Sequence, residues 1–184
     1  MHTWVALFRG INVGGNNVLP MAELKKGLES LALANVRTYI QSGNVVFSSK
    51  VSSPSTLTRK ITQLIEQRHG FRPHVLLLPI AALLKAIESN PFQHATDEPK
   101  SLHFFFLAKP ASSADLTAIN DAKATSENFK LTKEVFYLHA PDGIGRSKLA
   151  AKVEKYLGVV TTARNYRTVE KIHAMAIEIE ANKE

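Results

Sequence analysis

The strongest constraint on the fold is an order of apolar patterns that occurs twice along the chain. Within residues 1–78, a strand pattern is followed by a helix, two further strands, a second helix and a fourth strand. This is the β-α-β-β-α-β order of a ferredoxin-like unit. The second half repeats the order, and one more helical pattern spans roughly 166–181. The sequence therefore predicts an α+β fold of two tandem ferredoxin-like βαββαβ units with antiparallel sheets, plus a C-terminal helix.

Local signals place the ends of several predicted elements. Ser53-Pro54 is typical of a helix start, with Ser53 as N-cap, and Gly70 is a suitable residue just beyond that helix. In the second half, Ser112 or Ser113 is expected to cap a helix that carries Leu116 and Ile119. A further helix is expected to start at Ser147, and a short strand is expected at Val159–Thr162.

The break between the two predicted units lies near Asn90-Pro91. A short helical pattern ends there, and the polar loop Ala95–Pro99 follows. We therefore expect two domains: residues 1–90 form the first βαββαβ unit with a connecting helix, and residues 91–184 form the second unit with the C-terminal helix.

The positive charge of the chain is concentrated in its first half. Residues 1–78 contain nine Lys and Arg against three Asp and Glu, a net charge of +6 out of the total of +7. This asymmetry favours an anionic partner for the first half. A solvated basic surface without a partner is the alternative.

Composition excludes several classes of function. No run of about 18 apolar residues is present, so no transmembrane helix and no membrane association are expected. The N-terminal residues have the character of a strand and not of a signal peptide. The chain has no cysteine, which removes disulfides, thiolate catalysis and cysteine-based zinc sites. A cytoplasmic location is expected.

No pattern in the sequence defines a catalytic mechanism or a cofactor. The seven histidines are scattered, without HxH or HExxH spacing, so no metal site is predicted. No nucleophile, histidine and acid stand at a meaningful spacing. Whether the protein is an enzyme, and whether it uses a cofactor, stay open at this stage.

The first candidate site is a pair of polar, glycine-rich loops. In a βαββαβ sheet, the loop after the first strand (Gly10–Asn17) and the turn between the second and third strands (Gln41–Asn44) share one edge. The glycine spacing fits neither a Walker A loop nor a dinucleotide fingerprint. The alternative is a plain turn, with Asn and Gly in left-handed conformations. The predicted ligand-binding residues are Arg9, Asn12, Gly14, Gly15, Gln41, Ser42 and Asn44.

The second candidate site lies in the second unit, where the loops after its third and fourth strands share an edge. These loops, Ala140–Lys148 and Ala163–Thr168, are basic, and each leads into a helix N-terminus, which favours an anion. An internal ion pair between Asp142 and an arginine is the alternative. The predicted ligand-binding residues are Arg146, Ser147, Lys148, Arg164, Asn165 and Thr168.

Four separated motifs carry a family resemblance. RGINVGG (Arg9–Gly15), TYIQSGNVVF (Thr38–Phe47), GIGRSKL (Gly143–Leu149) and T-x-R-N-x-x-T-V-x-K from Thr162 resemble the bacterial family called domain of unknown function 1697. Tyr166 stands where many members are expected to have tryptophan. The resemblance implies a two-part α+β fold of ferredoxin-like character, and it implies no activity.

Three functions follow as hypotheses. Binding of a small anionic or phosphorylated ligand rests on the two loop clusters. Nucleic-acid binding rests on the basic first half and on the RNA-recognition topology, although the aromatic octapeptide of that module is missing and only the run Phe104–Phe106 offers rings for stacking. A dimerising interaction module without catalysis is the third, through an exposed sheet face or edge.

Overall fold

The computed structural model describes residues 1–182. The chain divides into two compact units: Met1–Lys85 together with the chain from Lys171 onward, and Ala86–Glu170. The expected ranges of 1–90 and 91–184 differ from this division mainly at the C-terminus. The last helix contributes its first residues to the second unit and the remainder to the first.

The first unit is built on a four-stranded sheet with the order β2-β3-β1-β4, in which all neighbouring strands are antiparallel. The apolar first strand is one of the two central strands. The strands are β1 (His2–Arg9), β2 (Ala34–Tyr39), β3 (Asn44–Ser49) and β4 (His74–Pro79). The helices are α1 (Met21–Ser30), α2 (Pro54–His69) and α3 (Ile80–Glu88).

The core of the first unit lies between one sheet face and the helices α1 and α2. Alternate residues of β1, including Ala6 and Phe8, point to this face, and Phe47 of β3 joins them. Leu24 and Leu28 of α1 pack here at helical spacing, as do the apolar residues of α2. Phe47 is fully buried, so it is a core residue.

The predicted ends of α2 are confirmed. Ser53 is its N-cap, and the side-chain oxygen accepts a hydrogen bond from the Thr56 N–H at 3.3 Å. Pro54 occupies the first helical position, where a missing N–H costs nothing. Gly70 ends the helix in the left-handed conformation, with φ of 75°.

The second unit repeats the topology, with the strand order β6-β7-β5-β8. Its strands are β5 (Leu102–Leu107), β6 (Asn128–Leu131), β7 (Val135–His139) and β8 (Thr161–Asn165). Its helices are α4 (Leu116–Ala122) and α5 (Val153–Leu157), and α6 (Tyr166–Ala181) follows β8 directly. Two tandem antiparallel ferredoxin-like units and a C-terminal helix are therefore present, as predicted.

Three local predictions in the second unit were wrong. Asp115, and neither Ser112 nor Ser113, caps α4, because its Oδ1 accepts from the Ala118 N–H at 2.9 Å. Ser147 follows a 3₁₀ turn at Ile144–Arg146 and precedes another at Ala150–Lys152, and the α-helix starts six residues later at Val153. The last strand begins at Thr161, two residues later than expected.

The aromatic run of β5 is buried on both faces of its sheet. Phe105 packs edge-on against Phe136 in the core beneath α4 and α5. Phe104 points the other way and contacts Tyr137, with ring centroids 4.8 Å apart. The Tyr137 hydroxyl donates to the Ala86 carbonyl at 2.8 Å, and burial, with Glu134 nearby, raises the pKa of Tyr137 to about 12. These phenylalanines are core residues and offer no free ring for base stacking.

No helix among residues 1–182 is both long enough and apolar enough to cross a membrane.

Candidate functional site

The two glycine-rich loops of the first unit meet at one edge of its sheet, as the strand order predicts. β1 pairs with β3 so that Leu7 lies opposite Asn44. The Phe8 N–H donates to the Gly43 carbonyl at 2.8 Å. The Asn12 side-chain amide donates to the Gln41 carbonyl, also at 2.8 Å. The loop after β1 and the β2–β3 turn are therefore joined by direct hydrogen bonds.

Asn12 is the residue that closes this first loop cluster. Its Oδ1 accepts from the Leu19 N–H at 2.7 Å, and its Nδ2 donates to the Leu19 carbonyl at 2.9 Å as well as to Gln41. Its backbone has a φ of 55°, a left-handed conformation that asparagine tolerates better than most residues. The amide of Asn12 is thus used to hold the loop to the start of the next helix.

Other amides of the first cluster are also used by nearby chain. Asn17 donates from Nδ2 to the Gly10 carbonyl at 2.9 Å. Asn44 is buried and donates to the Tyr39 carbonyl and to Ser42 Oγ. Arg9 is half-buried, whereas Gly14, Gly15, Gln41 and Ser42 are exposed. This corner is therefore a turn in which several side chains bond to the backbone of the same two loops, and its tip is exposed.

The second cluster lies where three segments of the second unit converge. β7 and β8 both run antiparallel to β5, so Leu102 lies opposite His139 and His103 lies opposite Asn165. The two loops that leave β7 and β8 therefore flank the segment that enters β5. A cavity of about 480 Å³ opens at this edge. Its lining residues are Glu98, Pro99, Lys100, Ser101, Pro141, Gly143 and Arg167.

The segment that enters β5 is fixed by backbone hydrogen bonds to both neighbouring loops. The Ala140 N–H donates to the Ser101 carbonyl at 2.8 Å, and the Arg167 N–H reaches the Pro99 carbonyl at 3.4 Å. Ser101 is buried, and its hydroxyl donates to the Glu98 carbonyl at 2.8 Å. These backbone hydrogen bonds at the sheet edge hold the cavity wall, and two cationic residues, Lys100 and Arg167, lie in that wall.

Several of the predicted residues of the second cluster support the backbone beside the cavity. Ser147 Oγ accepts from the Ala150 N–H, and Asn165 Oδ1 accepts from the N–H of Thr168 in the first turn of α6. Arg164 donates to its neighbouring carbonyl at Ala163, and burial lowers the pKa of its guanidinium to about 10.

The remaining predicted residues of this cluster lie at its surface. Arg146 and Lys148 are exposed, and none of the six residues predicted for this cluster lines the cavity. Asp142, the acid of the alternative ion pair, accepts a hydrogen bond from Ser126 Oγ at 2.6 Å. The loops meet where the sequence predicts, but other residues line the space between them.

Comparison with known proteins settles the family. The family described as "Protein of unknown function (DUF1697)" matches residues 1–137, which is well over half of the chain. The chain belongs to this family. It is the family that the motifs resemble, and the matched range contains RGINVGG and TYIQSGNVVF but ends before the other two motifs. No protein with a curated description matches the chain.

This DUF1697 protein has the same fold as a protein whose structure has been solved. The latter is a conserved bacterial protein, SP0830, from Streptococcus pneumoniae. The superposition has a TM-score of 0.73 at 26% sequence identity, and it covers 95% of this chain and 98% of the other. The likeness spans both ferredoxin-like units.

The residues that line the cavity of this DUF1697 protein are not among the predicted ligand-binding residues, although Pro141, Gly143 and Arg167 lie in the two predicted loops. Lys100 and Ser101 belong to the segment before β5, which the sequence had marked only as a boundary between units. A signal was present: the start of the first strand shares an edge with the ends of the third and fourth strands. The polar loop that precedes β5 could therefore have been placed beside the two basic loops.

A buried histidine and a histidine pair lie close to the cavity. His139, the last residue of β7, contacts His94 with ring centroids 5.3 Å apart, and Phe92 is 6.1 Å away. Burial and the neighbouring His94 lower the pKa of His139, whereas Glu98 acts in the opposite sense. Burial also lowers the pKa of His103, despite a hydrogen bond with the Ser101 backbone. Both imidazoles therefore bind a proton less readily than an exposed histidine does.

Acid should destabilise the protein through these histidines. A histidine whose folded-state pKa is lowered binds fewer protons when folded than when unfolded. The free energy of unfolding therefore rises with pH between the folded-state pKa and the unfolded-state pKa. We expect stability to be fully present above about pH 6.5, the unfolded value, and to fall as the pH drops toward 5. Chemical denaturation at a series of pH values measures this slope. The double variant His103→Gln/His139→Gln should show a shallower slope than the parent protein, and an unchanged slope would contradict the assignment.

Residues 1–182 contain no group of three or more His, Asp or Glu side chains placed to hold a metal ion.

Proposed function

We propose that this protein binds a small anionic or phosphorylated ligand in the cavity at the β5 edge of the second unit. The observation that carries the proposal is the cavity of about 480 Å³, with Lys100 and Arg167 in its wall. Small-molecule sites commonly have volumes of about 300–1,000 Å³ and a few convergent polar groups. This cavity satisfies both conditions within one unit of the fold.

The charges around the cavity favour a negative ligand. Arg167 is the second residue of α6, and a helix N-terminus adds positive potential of its own. Arg146, Lys148 and Arg164 lie on the two adjoining loops. Cations at a helix N-terminus oppose the helix dipole, and an anion bound between them would offset that cost. Arg167 and Lys100 supply the donors that would contact it.

Glu98 narrows the class of ligand. Glu98 lies in the same wall as Lys100 and Arg167, and its negative charge would disfavour a second negative group nearby. A carboxylate also accepts hydrogen bonds from hydroxyl or amino groups. We therefore favour a compact ligand with one phosphate or carboxylate and at least one hydrogen-bond donor, such as a sugar phosphate or an alcohol phosphate.

A thermal-shift screen with matched pairs tests the proposal. Glycerol 3-phosphate is compared with glycerol, glucose 6-phosphate with glucose, and AMP with adenosine. Since a ligand that binds only the folded state stabilises it, a phosphorylated compound should raise the melting temperature while its neutral partner should not. Calorimetry then gives the dissociation constant of the best compound.

Variants locate the binding and give its expected size. Arg167→Gln should raise the dissociation constant about tenfold or more, since a hydrogen bond to a charged group contributes about 1.5–3 kcal/mol. Lys100→Gln should raise the dissociation constant to a similar or smaller extent. Lys109→Gln removes an exposed cation of the same unit outside the cavity lining, and it should bind as the parent does. Stabilisation by no anionic compound, or equal binding by Arg167→Gln and Lys109→Gln, would overturn the proposal.

A further inference from the structure

The two sheets have four edge strands, namely β2, β4, β6 and β8. An edge strand presents free backbone N–H and C=O groups on one side, to which another chain can add. Proteins that avoid such pairing place charged side chains, prolines or bulges on their edges. The four edges of this protein can therefore be compared by the protection that each carries.

Three of the edges carry recognisable protection. β2 contains a register shift between Ala34 and Arg37, and Arg37 also forms an ion pair with Glu178. β6 is only four residues long and contains Lys130. β8 contains Arg164 in its interior. Each of these features disfavours regular addition of a further strand.

The edge formed by β4 lacks this protection between its ends. It pairs with β1 at six consecutive positions without a shift, and its interior, Val75–Leu78, is apolar throughout. Its only proline is the last residue, Pro79. Among residues 1–182, no strand pairs with its other side. β4 is thus a regular, uncharged edge of about 16–20 Å at roughly 3.3 Å per residue.

A basic groove of about 600 Å³ runs between α2 and the start of β4. Four α2 residues line it at the spacing of one helix face, and the chain entering β4 forms the other wall. They are Ser55, Thr58, Arg59 and Thr62 on α2, and Arg72, Pro73, His74 and Val75 on the other side. The lining contains two arginines and no Asp or Glu. Arg72 lies 3.6 Å from Glu66, but both side chains are largely exposed, so this pair is weak.

We propose that the β4 edge binds an extended acidic segment of a partner protein as an additional strand. The free backbone groups of β4 would pair with the segment, which is the β-augmentation mode of recognition. Alternate side chains of a strand point to the same face. Acidic residues at every second position would therefore face Arg59 and Arg72 together.

Charge decides between an acidic partner and a second copy of this chain. Residues 1–78 carry +6 of the net charge of +7, so pairing of two β4 edges would bring two basic grooves together. Like charges at an interface oppose association, whereas a complementary charge speeds encounter and fixes register. The groove supplies the electrostatic preference, and the backbone of β4 supplies the pairing.

A fluorescent, N-acetylated hexapeptide that alternates valine and glutamate tests the proposal by fluorescence anisotropy. We expect saturable binding to the full chain. The same peptide with lysine in place of glutamate should not bind. A peptide N-methylated at alternate residues keeps its charges but loses the donors on one side of the strand, and it should bind at least tenfold more weakly.

A pair of double variants separates the groove from general electrostatics. Arg59→Gln/Arg72→Gln should weaken binding of the glutamate peptide at least tenfold. Lys26→Gln/Lys60→Gln removes the same charge from exposed positions outside the groove, and it should bind nearly as the parent does. Circular dichroism and melting temperature confirm that both fold.

Four results would overturn the proposal. They are the absence of saturable binding at peptide concentrations up to about 1 mM, equal binding of the methylated peptide, equal loss in the two double variants, and self-association of the protein through β4 seen by sizing chromatography. None depends on the cavity of the second unit, so this proposal and the ligand proposal can fail separately.

Discussion

Replacing Gly43 by alanine should lower the free energy of unfolding by about 3 kcal/mol. Two causes contribute: a side chain is strained in the left-handed backbone conformation, and the added Cβ overpacks the core. Gly43 has a φ of 73°, where a side chain is strained. A Cβ at this position would lie 2.5 Å from Phe8 Cβ and 2.6 Å from Ile11 Cδ1. Both neighbours are buried, so neither can move aside easily. The turn and β1 approach each other this closely because only hydrogen lies between them.

Thermal or urea denaturation measures this effect. At roughly 2–4 °C per kcal/mol for a chain of this size, the melting temperature should fall by about 6–12 °C. Gly15→Ala is the matched control, because Gly15 has a similar φ of 77° but no neighbouring heavy atom within 4 Å. We expect the control to cost about 1 kcal/mol. Equal losses in the two variants would show that the close approach to Phe8 is not what requires glycine.

Asn12→Ala should also lower the free energy of unfolding, by about 2–4 kcal/mol, because it removes three hydrogen bonds and leaves buried backbone groups without a partner. The side chain of Asn12 bonds to both the N–H and the carbonyl of Leu19 and to the carbonyl of Gln41. Leu19 is fully buried, so its N–H would be left without a partner and away from water. Alanine is also less tolerant of the φ of 55° at this position.

Asn16→Ala is the control for this prediction. Asn16 lies in the same loop and has an exposed side chain, and its backbone N–H, which alanine retains, makes the hydrogen bond to the Val13 carbonyl. We expect a change within about 0.5 kcal/mol, as for most surface substitutions. If Asn12→Ala changed the free energy of unfolding as little as Asn16→Ala, the Asn12 side chain would not be what holds the two loops together. A ligand-binding role for Asn12 would then be favoured.

The fold could be predicted from the sequence because each element carries its own local signal. The apolar first strand, the Ser53-Pro54 start and the Gly70 end are all where the pattern indicates. The predicted cap of α4 was wrong because three residues that can act as N-caps stand close together in the sequence, namely Ser112, Ser113 and Asp115. The predicted start of α5 was wrong because the Ser147 hydroxyl accepts from the Ala150 N–H in a segment that forms a 3₁₀ turn before the α-helix begins.

The candidate site could be placed only in part. Strand order brings the correct loops together in both units, which needs no side-chain detail. The partner of each asparagine side chain depends on the directions of its hydrogen bonds, which the sequence does not contain. Asn12 therefore resembles a ligand residue in the sequence and serves as a structural clamp in the fold. Arg167 lies in a loop that the sequence predicts to form the second site, yet it was not among the predicted ligand-binding residues, and Lys100 lies in a segment outside both loops. Which residues of a loop line a cavity depends on backbone geometry that the sequence does not contain.

The most direct test of the account is a nuclear magnetic resonance titration of the ¹⁵N-labelled protein. The titrant is the phosphorylated compound that stabilises the protein most in the thermal screen, with its neutral counterpart as control. If the ligand binds in the cavity, saturable shifts should be largest at the amides of Lys100, Ser101, Gly143 and Arg167. Shifts confined to Gly14, Gly15, Gln41 and Ser42, or no shifts at all, would contradict it.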